Sequence, residues 1–557
     1  MRFQGIIIHF ILFLSLLSIT VSSPAELQVD ASDNNLTLEY STFFGGGGED
    51  DGYSVAFDDE NNIYLTGSTA SSDFPITDDA LLSTQPSTGT RTGYVAEFST
   101  SGELLYSSYL GGKGTDTGTE IALDSENNIY VAGITRSSDF PITDNATDTT
   151  YGGGTAESPL FCCGDGFITK FAPNWTVLYS SYIGGSDSEA DIGLFIDNLD
   201  NVYISGMTRS TDLYTTPNAY QTSNNGKGDL FVTKMLPNGT IVFSTYLGGS
   251  GDEIRRGGGT NGKSITVDSE YNIYITEASE STDFPTTTDA LNQNSKGGIE
   301  TVFTKLNSDG TSLLYSTYIG GPNDDGGSAI GIDSADNIYL LGTIDSEDLP
   351  NTSGSFQDKF GGGGCLIIGG AAASCGDAYI IKFSAESGDF TSTYLGGEGF
   401  EVSTDIFVTK EGKILVTGFT DSLEFPVTGM KNFDSNHGGY DIFVSQVDST
   451  TFELETSFLI GGSREDQPFQ WEIGNGITVN SLGEIFFTGF SFADDFPITT
   501  DGYDTTHNGD KDIVLVKFIQ SSETQSNSSK GPNALLQWIV LIYVPVYGLM
   551  RLKRKNS

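Results

Sequence analysis

The chain has 557 residues, and its 74 Asp and Glu against 26 Lys and Arg leave a formal net charge of -48. That balance excludes partners such as nucleic acid or an anionic membrane surface, leaves cations open, and also serves as a solubility device in a salty exterior. With 70 Gly, 25 Tyr and 36 Phe but only 5 Met and 3 Trp, the composition favours many short strands joined by turns over helices, so the chain is read as all-β.

Residues 1–25 begin with Arg2 and an apolar run, 6–19, the charged and hydrophobic parts of a secretory signal peptide. Ser23 and Ala25 are small residues suited to cleavage, while Pro24 leaves the exact bond open. The sequence from 26 to 520 is therefore expected outside the cell.

Within 26–520 an aromatic-rich segment closing in Gly-Gly recurs seven times: STFFGG at Ser41, SSYLGG at Ser107, SSYIGG at Ser180, STYLGG at Ser244, STYIGG at Ser316, STYLGG at Ser392 and SFLIGG at Ser457. Successive starts lie 64 to 76 residues apart, beyond the roughly 40–50 of a minimal propeller repeat, so each repeat carries a long loop. Each also holds three earlier apolar runs, exemplified by 121–123 closed by Asp124 and a turn, NIYVAG from Asn128, and GFITKF from Gly166. Alternating β-branched and aromatic residues between Gly, Asn and Asp turns are strands, and four strands make one propeller blade.

A lone four-stranded sheet has two faces to bury, so blades must stand side by side, and a closed circle removes exposed flanks. The repeats open on a fourth-strand segment, 38–44, and end on a third-strand segment, 513–518. The expected fold is a seven-bladed β-propeller of four-stranded antiparallel blades, closed by the N-terminal strand completing the last blade, plus a C-terminal transmembrane helix.

After a Ser/Asn-rich spacer, 521–533, the apolar stretch 534–550 is about the shortest that crosses a bilayer. Arg551, Lys553, Arg554 and Lys555 in the tail, 551–557, are expected on the cytoplasmic side. Gln537, Pro545 and Gly548 interrupt the span, so a removable tail like the C-terminal sorting signals of prokaryotic surface proteins is the alternative, although no LPxTG motif occurs. Both readings put the propeller at the cell surface. Sequons at Asn35, Asn145, Asn174, Asn238, Asn351 and Asn527 fit export, though a chain rich in Asn, Ser and Thr yields several by chance.

Taken together, D-x-x-x-N-I-Y-x-x-G, S-x-D-F-P-x-T, D-x-F-x-T-K-F and L-x-Y-S-T-Y-L-G-G resemble the bacterial and archaeal SBBP family of β-propeller repeats, over about residues 38–518. The resemblance implies a seven-bladed propeller on a surface or secreted protein, with no enzymatic activity to carry over. Local departures are Leu213-Tyr214 for Phe-Pro, Leu349 for Phe, Glu277 for the strand Gly, and Lys410-Glu411-Gly412 for the Asp-led turn.

Turns such as those led by Asp58, Asp124 and Asp333 lack the dense acidic spacing of a calcium loop and are read as side-chain-to-backbone closures. The D-F-P segments at Asp73, Asp139, Asp283 and Asp495 are read as structural, Pro ending the strand and Phe anchoring the loop. More suggestive are the acids after each Gly-Gly: Glu49, Asp50, Asp116, Glu189, Asp252, Asp324, Glu401 and Glu465, with Glu253, Asp325 and Asp466 beside some of them. In equivalent blades they ring one mouth of the central channel, either as solvated turn acids or, through mutual repulsion, as ligands of a cation such as Ca²⁺.

Cys365 and Cys375 flank a Gly/Ala-rich insertion before a third strand, and export makes them the expected disulfide. The pairing of Cys162 and Cys163 stays open, and zinc spacing is missing. Of three histidines, His9 is in the signal, while His437 and His507 are read as polar loop residues. No G-x-S-x-G, H-E-x-x-H or P-loop is present. The expected function is a non-catalytic surface module that binds protein or glycan through its long-loop face. The alternatives are a structural envelope or surface-layer component and, further off, a polysaccharide hydrolase or lyase.

Overall fold

A computed structural model describes residues 36–154, 164–254, 263–350, 352–362, 365–368, 371–430, 432–463 and 471–520. The alternating runs form antiparallel strands because each has a neighbouring blade on either side to receive its apolar side chains. Blade one runs outward from the axis as Asp50–Phe57, Ile63–Thr69, Thr92–Phe98 and Leu104–Leu110. Six more sheets repeat this order, with inner strands Asp116–Leu123, Glu189–Ile196, Glu253–Ile254 with Ile265–Val267, Asp325–Ile332, Glu401–Val408 and Ile473–Val479.

The ring closes as the sequence predicts. Leu36–Phe44 is the outer strand of blade seven and pairs antiparallel with Asp512–Gln520, Leu36 opposite Gln520 and Phe44 opposite Ile513. Its hydrogen bonds belong to blade seven, but Phe44 meets Phe74 and Phe98 of blade one edge-on, with centroids 4.7 and 5.1 Å apart. Burying a Phe contributes about 1.5–3 kcal/mol, so this strand ties two blades at once.

Cohesion lies between blades. One apolar cluster joins Tyr203 and Val232 of blade three to Ile273, Val302 and Tyr318 of blade four. The glycine of N-I-Y-x-x-G keeps neighbouring strands close: a Cβ on Gly67 collides with the Asp51 carbonyl and comes within 2.9 Å of the Tyr94 ring. Blade four alone carries Glu277 there. Glu277 is buried and stands opposite Val302 of the third strand.

The Asp-led turns are side-chain closures. Asp124 accepts from the Glu126 and Asn128 N–H groups, the Asn128 amide and the Tyr130 hydroxyl, and pairs with Lys170 of the T-K-F motif at 3.0 Å. Asp197, Asp268 and Asp333 repeat the arrangement. At the Lys410 departure, Thr409 takes the place of Asp, accepting from the Lys413 N–H through its hydroxyl at 3.2 Å. Residues 1–25 and 534–550 lie outside the described residues, among which no helix is long and apolar enough to cross a membrane.

Candidate functional site: axis, seams and loop face

The last residues of all seven inner strands line a cavity of about 400 Å³ on the propeller axis, at the end where the tight turns lie. Its wall is aliphatic and aromatic, with Phe57, Leu123, Ile196, Ile332, Val408 and Val479 partly exposed. Deeper in, Lys263 of blade four reaches past blade five to Asp405 of blade six, Nζ to Oδ2 2.8 Å, and to the Ile477 carbonyl of blade seven at 3.4 Å. Asp405 Oδ2 also accepts from the Ile477 N–H at 2.6 Å, and Glu120 accepts from the Ser54 hydroxyl at 2.9 Å. Burial opposes the Lys263 charge, but Asp405 and Glu120 outweigh it and raise its pKa. The axis is thus crossed by an ion pair beneath an apolar cup. Sequence reasoning missed it, although Glu120 and Asp405 stand where other inner strands carry Ser54, Gly193, Ala329 or Gly476.

The acids singled out after Gly-Gly separate into two sets. Asp50, Asp116, Glu189 and Glu401 begin inner strands and are fully buried, as is Glu253, with Asp325 1% and Glu472 5% exposed. Glu49, Asp252 and Asp324 stand one residue earlier: Glu49 beside Arg91 and Lys511, Asp252 3.8 Å from Arg209 and 3.9 Å from Lys227, Asp324 accepting from the Ile299 N–H at 3.0 Å. Glu465 lies outside the described residues. No three His, Cys, Asp or Glu side chains among the described residues come together as a metal would require.

Each buried acid instead sits in a seam between blades. Asp50 accepts from the Gly46 N–H at 2.7 Å and the Ser71 hydroxyl at 2.8 Å, and Asp116 from the Gly112 N–H and Ser137 hydroxyl at 2.8 and 2.9 Å. In six seams it faces a second carboxyl, the first residue of the preceding blade's third strand: Asp165 with Glu189, Asp229 with Glu253, Glu300 with Asp325, Asp377 with Glu401, Asp441 with Glu472, and Asp512 with Asp50. Five of these partners were legible as the leading Asp of D-x-F-x-T-K-F, with Glu300 at that position in blade four, but they drew no role from sequence. Burial, then the facing carboxylate, pushes Asp377 up to about 8 against the N–H groups that stabilise its charge. Burial likewise takes Glu189 and Glu472 to about 8, and Glu253 and Asp325 to about 7.

On the opposite face the D-F-P aspartates are structural: Asp139 accepts from the Lys113 N–H and Asp283 from the Ser250 N–H, at 2.9 and 2.8 Å, pinning the crossover into each blade. Phe74, Phe140, Phe284, Phe425 and Phe496 are buried, as are the replacements Leu213 and Leu349. The second-to-third connections differ most in blade two, 136–164, and blade five, 345–376, against 209–228 in blade three. Blade five raises a hairpin, Cys365–Ile368 with Ala371–Cys375, whose register sets Cys365 opposite Cys375. Cys162 and Cys163 lie outside the described residues. His437 spans Asp441 and the Asn432 carbonyl, each at 3.2 Å, and His507 packs edge-on to Phe43 at 5.3 Å.

The model of the SBBP beta-propeller repeat matches residues 39–75, 105–141, 242–285 and 314–350, so the chain carries that repeat in four places. No curated protein matches the chain. Among solved structures it is similar to a protein of unknown function from Dyadobacter fermentans DSM 18053, at 10% identity over 87% of this chain and 99% of that one, TM-score 0.36. It is similar too to an ulvan lyase of polysaccharide lyase family PL25, at 9% identity over 81% and 93%, TM-score 0.42. A third is the quinohemoprotein alcohol dehydrogenase of Comamonas testosteroni, at 9% identity over 92% and 80%, TM-score 0.36. Likenesses this distant carry nothing about activity.

Proposed function

We propose that this seven-bladed propeller of SBBP-type repeats is a non-catalytic recognition module, held at the cell surface, that binds a protein or glycan partner through its long-loop face. The observation that carries the reading is asymmetry on a uniform ring. The repeated polar residues are spent on turns, crossovers and seams, whereas the two large departures, in blades two and five, both fall on one face. Loops on a rigid scaffold are where recognition residues gather.

Leu36 and Gln520, paired at the ends of their strands, stand on the tight-turn side. The test is a protein and glycan array probed with the full chain and with a variant whose blade-five connection, 345–376, is replaced by the shorter blade-six one, 421–440. Binding lost at an unchanged melting temperature is expected; equal binding by both would refute the loop-face reading.

A structural role in the envelope has its own support. Leu105, Leu178, Val242 and Leu314 hold one position on the outer strands of blades one to four and are 42 to 46% exposed, a repeated apolar contact suited to lateral packing. Ordered arrays of purified chain, abolished by Leu105→Ser with Leu314→Ser, would favour that role.

A further inference from the structure

Buried polar atoms in folded proteins are nearly always hydrogen-bonded, and those that are not call for a cause. Apart from Asp51 Oδ1 and Asp252 Oδ1, which face the cations of Lys511 and Arg209, the orphaned carboxylate oxygens here follow a rule. Asp50 Oδ1 and Asp512 Oδ1, Asp229 Oδ1 and Glu253 Oε2, Glu189 Oε2, Glu300 Oε2, Asp377 Oδ1 and Asp441 Oδ1 are buried without a donor. Each belongs to a seam where two carboxyls meet. The seam between blades one and two is the comparison: Thr92 stands in place of the second acid, its hydroxyl is the orphan there, and no carboxylate oxygen is, since both oxygens of Asp116 are satisfied, by Thr135 on one side and by Gly112 and Ser137 on the other.

The geometry sharpens this at the seam between blades three and four. A Cβ on Gly248 lies 2.7 Å from Asp229 Oδ1 and 2.6 Å from Glu253 Oε2, so the two orphaned oxygens flank one small gap kept open by the first Gly of the Gly-Gly motif. The outer oxygens are occupied: Asp229 Oδ2 accepts from the Asn225 N–H and the Gln221 amide at 2.8 and 2.5 Å, and Glu253 Oε1 from the Ser279 and Ser281 hydroxyls at 3.0 and 2.5 Å. Asp283, Tyr246 and Tyr318 are the other ionisable groups facing the pair, and Asp252 with Arg209 and Lys227 forms a separate charged group beside it. Two anions that close are not both charged in a buried site, and a single proton turns two orphaned acceptors into one donor and one acceptor.

We propose that the six carboxyl-pair seams are buried proton-binding sites, each holding one proton between its two acids and so bonding one blade to the next. The Asp-Gly-Gly-acid framework positions the pair, and loss of the proton leaves two facing anions that push the seam apart.

The test is the infrared absorption of protonated carboxyl groups in the full chain. Such a band is expected to persist at about pH 7, where free carboxyls are ionised, and to disappear by about pH 9. Asp229→Asn, whose amide can donate to Glu253, is expected to remove about one sixth of the band, and Thr92→Asp to add about one sixth by completing the seventh pair. No band at neutral pH, or a band that neither variant changes, overturns the proposal. A band that is absent while millimolar Ca²⁺ raises the melting temperature overturns it too, in favour of a cation.

Discussion

At the scale of single residues, the Gly-Gly motif is a space requirement, to which only Gly320, at φ +143°, adds a backbone one. The first Gly leaves room for the facing carboxyls and the second for the loop aspartate: a Cβ on Gly249 would come within 2.7 Å of Asp283 Oδ1. Gly248→Ala is therefore expected to cost about 1–3 kcal/mol, the usual penalty of overpacking, read from the denaturation midpoint. An alanine at Gly89, where nothing lies within 4 Å but φ is +83°, should cost less than the crowded site. If both substitutions cost the same, the seam is not tightly filled. Sequence reading found the acids beside this motif but not which of two neighbours turns inward. In Glu49-Asp50, Asp252-Glu253 and Asp324-Asp325 only strand alternation decides, and the second acid faces in each time. In blade seven the inward acid is Glu472, displaced by a longer crossover that drew attention to Glu465.

At the scale of elements, the N-terminal strand is the fastening. Leu36, Leu38, Tyr40, Phe43 and Phe44 are all buried, and their contacts span the whole chain length. Phe44→Ala is expected to destabilise by about 3–5 kcal/mol, the range for large aromatic-to-alanine changes in cores. Limited proteolysis should then cut first within 36–44, because losing that strand re-exposes the edge of Asp512–Gln520. Unaltered melting would mean that the ring does not depend on its closure. This much was legible, since a repeat array that starts on a fourth strand and stops on a third has one way to complete its last blade. The axial contacts were not legible. The Lys263 ion pair joins blades four and six, and no local pattern announces a partner two blades away.

At the scale of the whole molecule, buried acids set the direction of the pH response. Raised folded pKa values mean that the native ring holds more protons than the unfolded chain, whose carboxyls titrate near 4. Asp165 and Asp512 stand at about 6, Glu253, Asp325 and Glu401 at about 7, and Glu189, Asp377 and Glu472 at about 8, burial being the main cause throughout. Their contribution is complete below about pH 4 and is lost as pH rises through 6 to 8. The turn acids act oppositely: hydrogen bonds from Asn partners hold Asp124, Asp268 and Asp333 below the usual range despite burial, with Lys170 and Lys305 adding to the first two. Their stabilisation is present above about pH 4 and lost on further acidification. The melting temperature is therefore expected to peak near pH 5 and to fall steadily towards pH 9. The general repulsion of a chain at -48 also grows with pH, but salt at about 1 M screens exposed charges beyond about 3 Å and hardly touches buried pairs. If the seams dominate, concentrated salt at pH 9 recovers only a minor part of the lost melting temperature; full recovery would assign the pH response to the surface instead.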